Sequence, residues 1–185
     1  MKTLIVIDMQ NDFLTGTLAN PAAVDIIPNI VNKVTEYLQN GDKVIFTQDT
    51  HFSISYNKTI EGQKLPVDHC FFGTKGHELV DELKFYTNRY NQYNIDIIYK
   101  NGFGEINLHK YIPTDTESIE IVGTCTDICV ISNAFVLKAA KPNTPIIIDA
   151  AACAGLTPEL HDNALDMMEH CHMDIINRGK EPWRK

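Results

Sequence analysis

The sequence predicts an α/β fold built on a doubly wound, mainly parallel six-stranded sheet with helices on both faces. Three observations carry that expectation. Short apolar runs alternate with longer helical stretches along the 185 residues. Most of the runs are continuously apolar instead of alternating, the mark of strands covered on both sides. Helix caps and stops fall between them. Taken in order, Thr3–Ile7 is the first strand. Ala23–Asn40 carries Val24, Ile27, Ile30, Val31, Val34 and Leu38 at helical spacing and stops at Gly41. Lys43–Thr47 is the second strand, Glu78–Tyr86 a helix, and Asp96–Tyr99 and Ser118–Val122 the third and fourth strands. Asp127–Ala140 reads as a helix and Pro145–Asp149 as the fifth strand. Pro158–Cys171 is a helix with Thr157 as N-cap and proline at its first position, and Met173–Ile176 closes the sheet. No linker or repeat divides the chain, so residues 1–185 are expected to form a single domain.

One stretch breaks the rhythm. From Asp49 to Gly76 there is no clear period, yet the segment carries His51, Glu61, Pro66, His69 and several aromatic residues. A loop of that length in a compact domain is functional or disordered, and the aromatic content favours function. The tail from Arg178 to Lys185 is charged and holds the only tryptophan, Trp183; it reads either as loose or as packed on a partner subunit.

Composition narrows the classes. A hydrophobic content of 44% suits one substantial core. A formal charge of -8, with basic residues scattered, argues against a nucleic-acid partner. The N-terminal apolar run, Leu4–Ile7, ends at Asp8 and is too short for an export signal or a membrane span. Five cysteines without small-scaffold spacing suggest a reduced, cytoplasmic setting.

Two constellations carry chemistry. Asp8 closes the first strand, Lys100 the third, and Cys129 follows the fourth across a turn at Gly123. Carboxyl ends of parallel strands lie along one edge, so the three side chains can converge there. A carboxylate can take a thiol proton, and an ammonium stabilises both anions. A helix N-terminus also favours thiolate. On its own segment Cys129 reads equally as a small buried hydrophobe, with Asp8 as a cap and Lys100 as a solvated strand end. The second set is Asp49, His51, Glu61 and His69. Residues two apart on extended chain point the same way, so Asp49 and His51 plus a returning His69 offer one carboxylate and two imidazoles, with Glu61 or water completing the set. Such mixed ligation suits zinc, iron or manganese. Cys70 beside His69 admits a thiolate ligand, and ordinary surface histidines are the alternative.

In sequence the chain resembles the isochorismatase-like cysteine hydrolases, nearest the nicotinamidase-related branch. The likeness runs from Thr3 to Ile176. It rests on Leu4–Phe13, Thr47–His51, Leu65–Cys70 with Gly73-Thr74, Lys100, and Gly123–Val130. The resemblance implies that Cys129 is the nucleophile, Asp8 the general base, and Lys100 the partner that lowers the thiol pKa. It implies a cis peptide at Thr124–Cys125 and an oxyanion hole from the N–H groups of Cys125 and Cys129. Asp49, His51 and His69 match the metal ligands, with Glu61 resembling a fourth. One divalent ion, zinc first among the three, would bind the pyridine nitrogen and turn a carboxamide toward Cys129. Phe13, Phe103 and Thr124 would line the substrate pocket. Homo-oligomers are common in the family, and the helix bearing Ile131, Phe135 and Val136 is the expected interface unless those residues face the sheet.

The implied activity is hydrolysis of a small linear or heteroaromatic carboxamide with release of ammonia, nicotinamide to nicotinate in NAD salvage. Two departures bear on the substrate. Thr50 stands where nicotinamidases commonly carry tryptophan, and Lys100-Asn101-Gly102-Phe103-Gly104-Glu105 keeps only one aromatic of the usual pocket segment. A metal-independent amidase acting on a carbamoyl or ureido compound is therefore the alternative. A third reading is a non-catalytic or redox-sensing module using Cys125 and Cys129. Isochorismate itself is disfavoured, because hydrolases of that vinyl ether lack the cysteine.

Overall fold

Six apolar runs form strands of one sheet: β1 (Thr3–Ile7), β2 (Lys43–Asp49), β3 (Ile95–Lys100), β4 (Ile119–Thr124), β5 (Ile146–Ala154) and β6 (Asp174–Ile176). The structure is a computed structural model and describes residues 1–89 and 93–184; Lys185, the end of the charged tail, lies outside the described residues. The order is β3-β2-β1-β4-β5-β6, and every paired strand is parallel. Chain direction across the sheet therefore reverses between β1 and β4, and a crevice opens beyond their carboxyl ends.

Both faces of β1 are buried, and its side chains divide between two cores. Ile5 and Ile7 join Ile45, Ile121 and Ile148 on one face. Leu4 and Val6 join Val44, Phe46 and Val122 on the other. The first face is covered by α3 (Ile131–Ala140) through Ala134 and Leu137, and by α4 (Pro158–His170) through Leu165 and Met168. The second is covered by α1 (Ile27–Gln39) through Ile30 and Val34, and by α2 (Asp81–Thr87) through Leu83. Each aliphatic side chain withdrawn from water in this way contributes about 1.5–3 kcal/mol before entropy is counted. Lys33 of α1 fastens its helix to the sheet by contacts of 2.6 Å to both Glu120 and Asp149.

Several boundaries differ from the sequence expectation. The stretch 23–40 is two helices, Pro21–Asp25 and α1, broken at Ile26. Pro28 explains the break, since it lacks the N–H that a continuous helix needs. The expected helix Glu78–Tyr86 begins only at Asp81, because Val80 is extended and Leu79 bridges to Gln10. The helix expected from Asp127 opens with a wide π turn, Thr126–Val130, before α3. β2, β3, β4 and β5 all run further toward their carboxyl ends than the apolar runs suggested, and the added residues include Asp49, Lys100 and Thr124. The described part of the tail packs on its own domain. Trp183 packs on the second core, its Nε1 donates to the Cys153 carbonyl at 3.1 Å, and Glu181 is buried. Among the described residues no helix is long and apolar enough to cross a membrane. Ile131 and Phe135 are half-buried and pack against the first core, and Val136 is half-buried.

Gly123 is what lets β1 and β4 close at the crevice. It lies opposite Ile7 with φ +122°, and a Cβ there would overlap the Ile7 carbonyl. Gly123→Ala is expected to lower unfolding free energy by about 3 kcal/mol through backbone strain and overpacking, read from urea denaturation.

Candidate active site

The strand extensions bring the polar residues together. Asp8 leaves β1 in the left-handed region, φ +47°, a conformation aspartate tolerates better than most residues. That turn drives its carboxylate into the crevice, fully buried. Oδ1 accepts from the Thr47 hydroxyl at 2.7 Å, and Oδ2 lies 2.6 Å from Lys100 Nζ. Register places Lys100 beside Asp49 on neighbouring strands. The ammonium, also buried, reaches Asp49 Oδ1 at 3.5 Å, the Gly102 carbonyl at 3.0 Å and Cys129 Sγ at 3.7 Å. Asp8, Lys100 and Cys129 thus meet as expected from strand ends.

Charges in this knot oppose one another. Burial raises the Asp8 carboxyl above its ordinary value, and Lys100 pulls it back down. Burial also works against the Lys100 charge, but Asp8, Cys129 and Asp49 outweigh it and hold the ammonium above the usual lysine range. Burial and then the Asp8 charge push the Cys129 thiol up, and Lys100 opposes without prevailing. The lysine acts in the direction the sequence suggested, but burial and the Asp8 charge outweigh it and the thiol lies above its ordinary range. Cys129 follows a cis Thr124–Cys125 peptide, which the resemblance also implied.

The second constellation forms beside the first. Atoms of Asp49, His51, Glu61 and His69 all lie within 4.8 Å of one another. His51 Nε2 is 2.9 Å from Asp49 Oδ2 and 3.4 Å from Glu61 Oε1; His69 Nε2 is 3.6 and 3.5 Å from the same two atoms. Glu61 arrives on a short helix, Ile60–Lys64, capped by the Thr59 hydroxyl on Gly62 N. His69 Nδ1 donates to the Val67 carbonyl at 2.8 Å, which leaves Nε2 bare toward the cluster. A divalent ion fits this set on two grounds. Two carboxylates and two imidazoles are hard-to-borderline donors of the kind zinc, iron and manganese take. His51 Nε2, buried, has close carboxylates but no aligned hydrogen-bond partner, as expected of a nitrogen aimed at a shared centre. Cys70 is buried beside this set, but it is not among the atoms that converge.

Without an ion the cluster is an ion-pair network. Burial works against charge on His51, but Asp49 and Glu61 raise it to about 9; the same balance raises His69 to about 10. Burial would raise Glu61, yet the two histidines bring it to about 2, and they hold Asp49 below the carboxylate range.

Outside both sets stands a framework that sequence reasoning missed. Gln10, fully buried, donates to the carbonyls of Asp49 and His77 and accepts from Asp49 N at 2.7 Å. Asp12 Oδ2 accepts from Cys70 N at 2.7 Å, holding the left-handed residue that follows His69. Thr50 bonds His77 Nε2 at 2.9 Å. The only sequence signal was Gln10 and Asp12 lying two and four residues past Asp8. Phe13, Phe103 and Thr124, the residues expected at a pocket, line a cavity of about 380 Å³ together with Cys125, Cys129, Asp49, Glu61 and His69. Leu18, Leu65, Ile128 and Leu156 complete a largely apolar lining that sequence did not indicate.

Comparison with known proteins bears on the fold and the family. The isochorismatase domain model matches residues 2–179. A probable inactive nicotinamidase of Arabidopsis thaliana is 33% identical over 177 residues, 89% of this chain and 86% of that protein. The crystal structure of a pyrazinamidase/nicotinamidase from Streptococcus mutans is 28% identical, covers 95% of this chain and 100% of that one, and superposes with a TM-score of 0.81. A nicotinamidase from Bacillus subtilis is 27% identical, with 94% and 98% covered and a TM-score of 0.79.

Two outcomes are expected. Lys100→Met leaves the buried Asp8 carboxylate without its cation, while Asp49 keeps its two histidines, and costs about 3–5 kcal/mol in chemical denaturation, most of which the double variant Asp8→Leu/Lys100→Met recovers. For the metal-free protein, histidines raised from 6.5 to about 9 and 10 contribute stability in full below pH 6.5 and lose it as pH rises through those values. Glu61 and Asp49, both lowered, contribute above the ordinary carboxylate range and lose it in acid. The urea midpoint of metal-free protein should therefore fall between pH 6.5 and 10, and metal loading, which takes histidine in its deprotonated form, should flatten that decline.

Proposed function

The chain belongs to the isochorismatase domain family, and from that membership we propose that it is a cysteine amidohydrolase that releases ammonia from a small carboxamide, nicotinamide first. The observation that carries the reading is the contact of one buried ammonium with Asp8, Asp49 and Cys129 at the wall of an apolar cavity. Asp8 takes the Cys129 proton as Sγ bonds to the amide carbon. The carbonyl oxygen becomes an oxyanion received by the Cys125 and Cys129 N–H groups, each worth about 3 kcal/mol to such a state. Asp8 then passes the proton to the amide nitrogen, the C–N bond breaks, and ammonia leaves a thioester. Water, deprotonated by Asp8, attacks that carbon; the C–S bond breaks and the proton returns to sulfur. Lys100 stays charged throughout and stabilises whichever of Asp8 and Cys129 carries the negative charge.

Phe13 and Phe103 offer flat apolar walls for a ring, and Thr124 sits at the cavity base. Asp49, His51, Glu61 and His69 would hold one divalent ion, zinc by donor chemistry, which when bound supplies an electrophilic anchor for a ring nitrogen. Oligomerisation and a cytoplasmic setting accompany the reading as family-level expectations.

Ammonia release from nicotinamide by zinc-loaded protein is the direct assay, and Cys129→Ala should lower it by about 10⁴-fold or more. Because one relative is described as probably inactive, turnover is the measurement that matters. If nicotinamide and a panel of small amides all survive the loaded enzyme, the amidase reading is lost. Full activity after chelation, with a ureido compound as the better substrate, would move the reading to the metal-independent alternative.

A further inference from the structure

The side of the oxyanion turn away from the cavity carries a second set of contacts that the chemistry above does not use. Thr126 and Asp127, between Cys125 and Cys129, are not among the residues that line the cavity. Asp127 Oδ1 accepts from Leu156 N at 2.9 Å. Thr126, fully buried, meets His161 Nδ1 of α4 at 2.8 Å. His161, also fully buried, turns Nε2 to Glu181 Oε1 at 3.4 Å, and its ring stands edge-on to Trp183 with centroids 5.0 Å apart. Gly155 gives these groups room, since a Cβ there would press on both His161 and Asp127. Arg184 fixes the far end through contacts of 2.8 Å to Glu181 and 2.6 Å to Asp162.

The chain of contacts has a direction. Glu181 Oε1 stands 3.4 Å from Nε2 as a charged neighbour and not as an aligned hydrogen-bond partner; a carboxylate there favours the proton on Nε2, which leaves Nδ1 to accept from the Thr126 hydroxyl. Burial lowers the histidine's proton affinity, in keeping with a neutral ring. The guanidinium of Arg184 already supplies the positive charge, so His161, Asp162 and Glu181 are not read as a second cation site. Thr126 is beyond reach of the cavity, which leaves it no part as a nucleophile.

We propose that Glu181, His161 and Thr126 are positioning residues for the oxyanion turn, through which the C-terminal segment Gly179–Arg184 holds the Cys125 and Cys129 N–H groups on the reacting carbonyl. The proposal rests on the amidase reading for its kinetic consequence but not for its structural one. An oxyanion hole works only if its donors are held before charge develops, and the side chains of Thr126 and Asp127 are two of this turn's anchors, beside Asn133 on the Cys129 carbonyl.

Thr126→Val removes the hydroxyl at nearly constant volume, and Thr126→Ser keeps it. Amide hydrogen exchange of residues 125–130, thermal midpoint, and kcat and KM for nicotinamide are measured on each. The Val variant should exchange at residues 125–130 about tenfold faster while the strands stay unchanged, as local opening predicts. Its kcat should fall on the order of 10- to 100-fold with KM within about twofold, the signature of misplaced donors. Ser should restore both. Glu181→Gln, remote from the turn, should shift the same two readouts in the same direction and serves if Thr126→Val does not fold. Unchanged exchange at residues 125–130 in a folded variant, or faster exchange spread evenly over the chain, overturns the proposal. Absence of turnover in the parent enzyme removes the amidase reading and leaves the exchange result to decide this one.

Discussion

The crevice is organised by one buried ammonium. Lys100 Nζ has Asp8 Oδ2 at 2.6 Å, Asp49 Oδ1 at 3.5 Å and the Cys129 sulfur at 3.7 Å, with no exposure of its side chain. Removing such a charge from water costs several kcal/mol, returned only when the partners are close and themselves fixed. The fixing is visible on every side. Thr47 holds Asp8, Gln10 holds the backbone of Asp49, and Asn133 Nδ2 reaches the carbonyls of Phe103 and Cys129. Strand order supplies the rest, since β3, β2, β1 and β4 are consecutive neighbours, four of the six strands.

How much of this could be read in the chain follows from the kind of force involved. Strands buried on both faces need continuous apolar runs, which made β1, β2, β4 and β5 legible, while the edge strands β3 and β6 showed only short apolar runs. The true strand ends were not legible, because the last residues of β2 and β3 are polar groups retained for the crevice. Helix breaks set by local sterics, such as the one before Pro28, were available in principle, yet the apolar spacing of Ile27, Ile30, Val31 and Val34 masked them. Asp8, Lys100 and Cys129 were legible because charged or nucleophilic residues at strand ends are out of place in a core. Gln10, Asp12 and His161 were not. Their importance lies in what they bond to 20 or more residues away, and a neutral amide or a lone histidine carries no sign of its partner.

The loop from Asp49 to Gly76 shows the middle case. Its composition announced function, and its ligand-type residues converge as their spacing suggested. What composition did not disclose is how Glu61 is carried there, by a capped single-turn helix resting on Tyr56, whose hydroxyl reaches the Leu65 carbonyl at 2.9 Å. Nor did it disclose Cys70 in a left-handed conformation, held by the Asp12 carboxylate.

Asp49 has one carboxylate and two clients. Oδ1 faces the ammonium and Oδ2 faces the imidazoles, so charge drawn to one oxygen is withdrawn from the other. The two halves of the crevice are thereby linked in the thermodynamic sense. A cation seated among the imidazoles changes how readily the dyad of Asp8 and Cys129 holds its proton. By reciprocity, the protonation state of that dyad changes the affinity for the cation by the same factor.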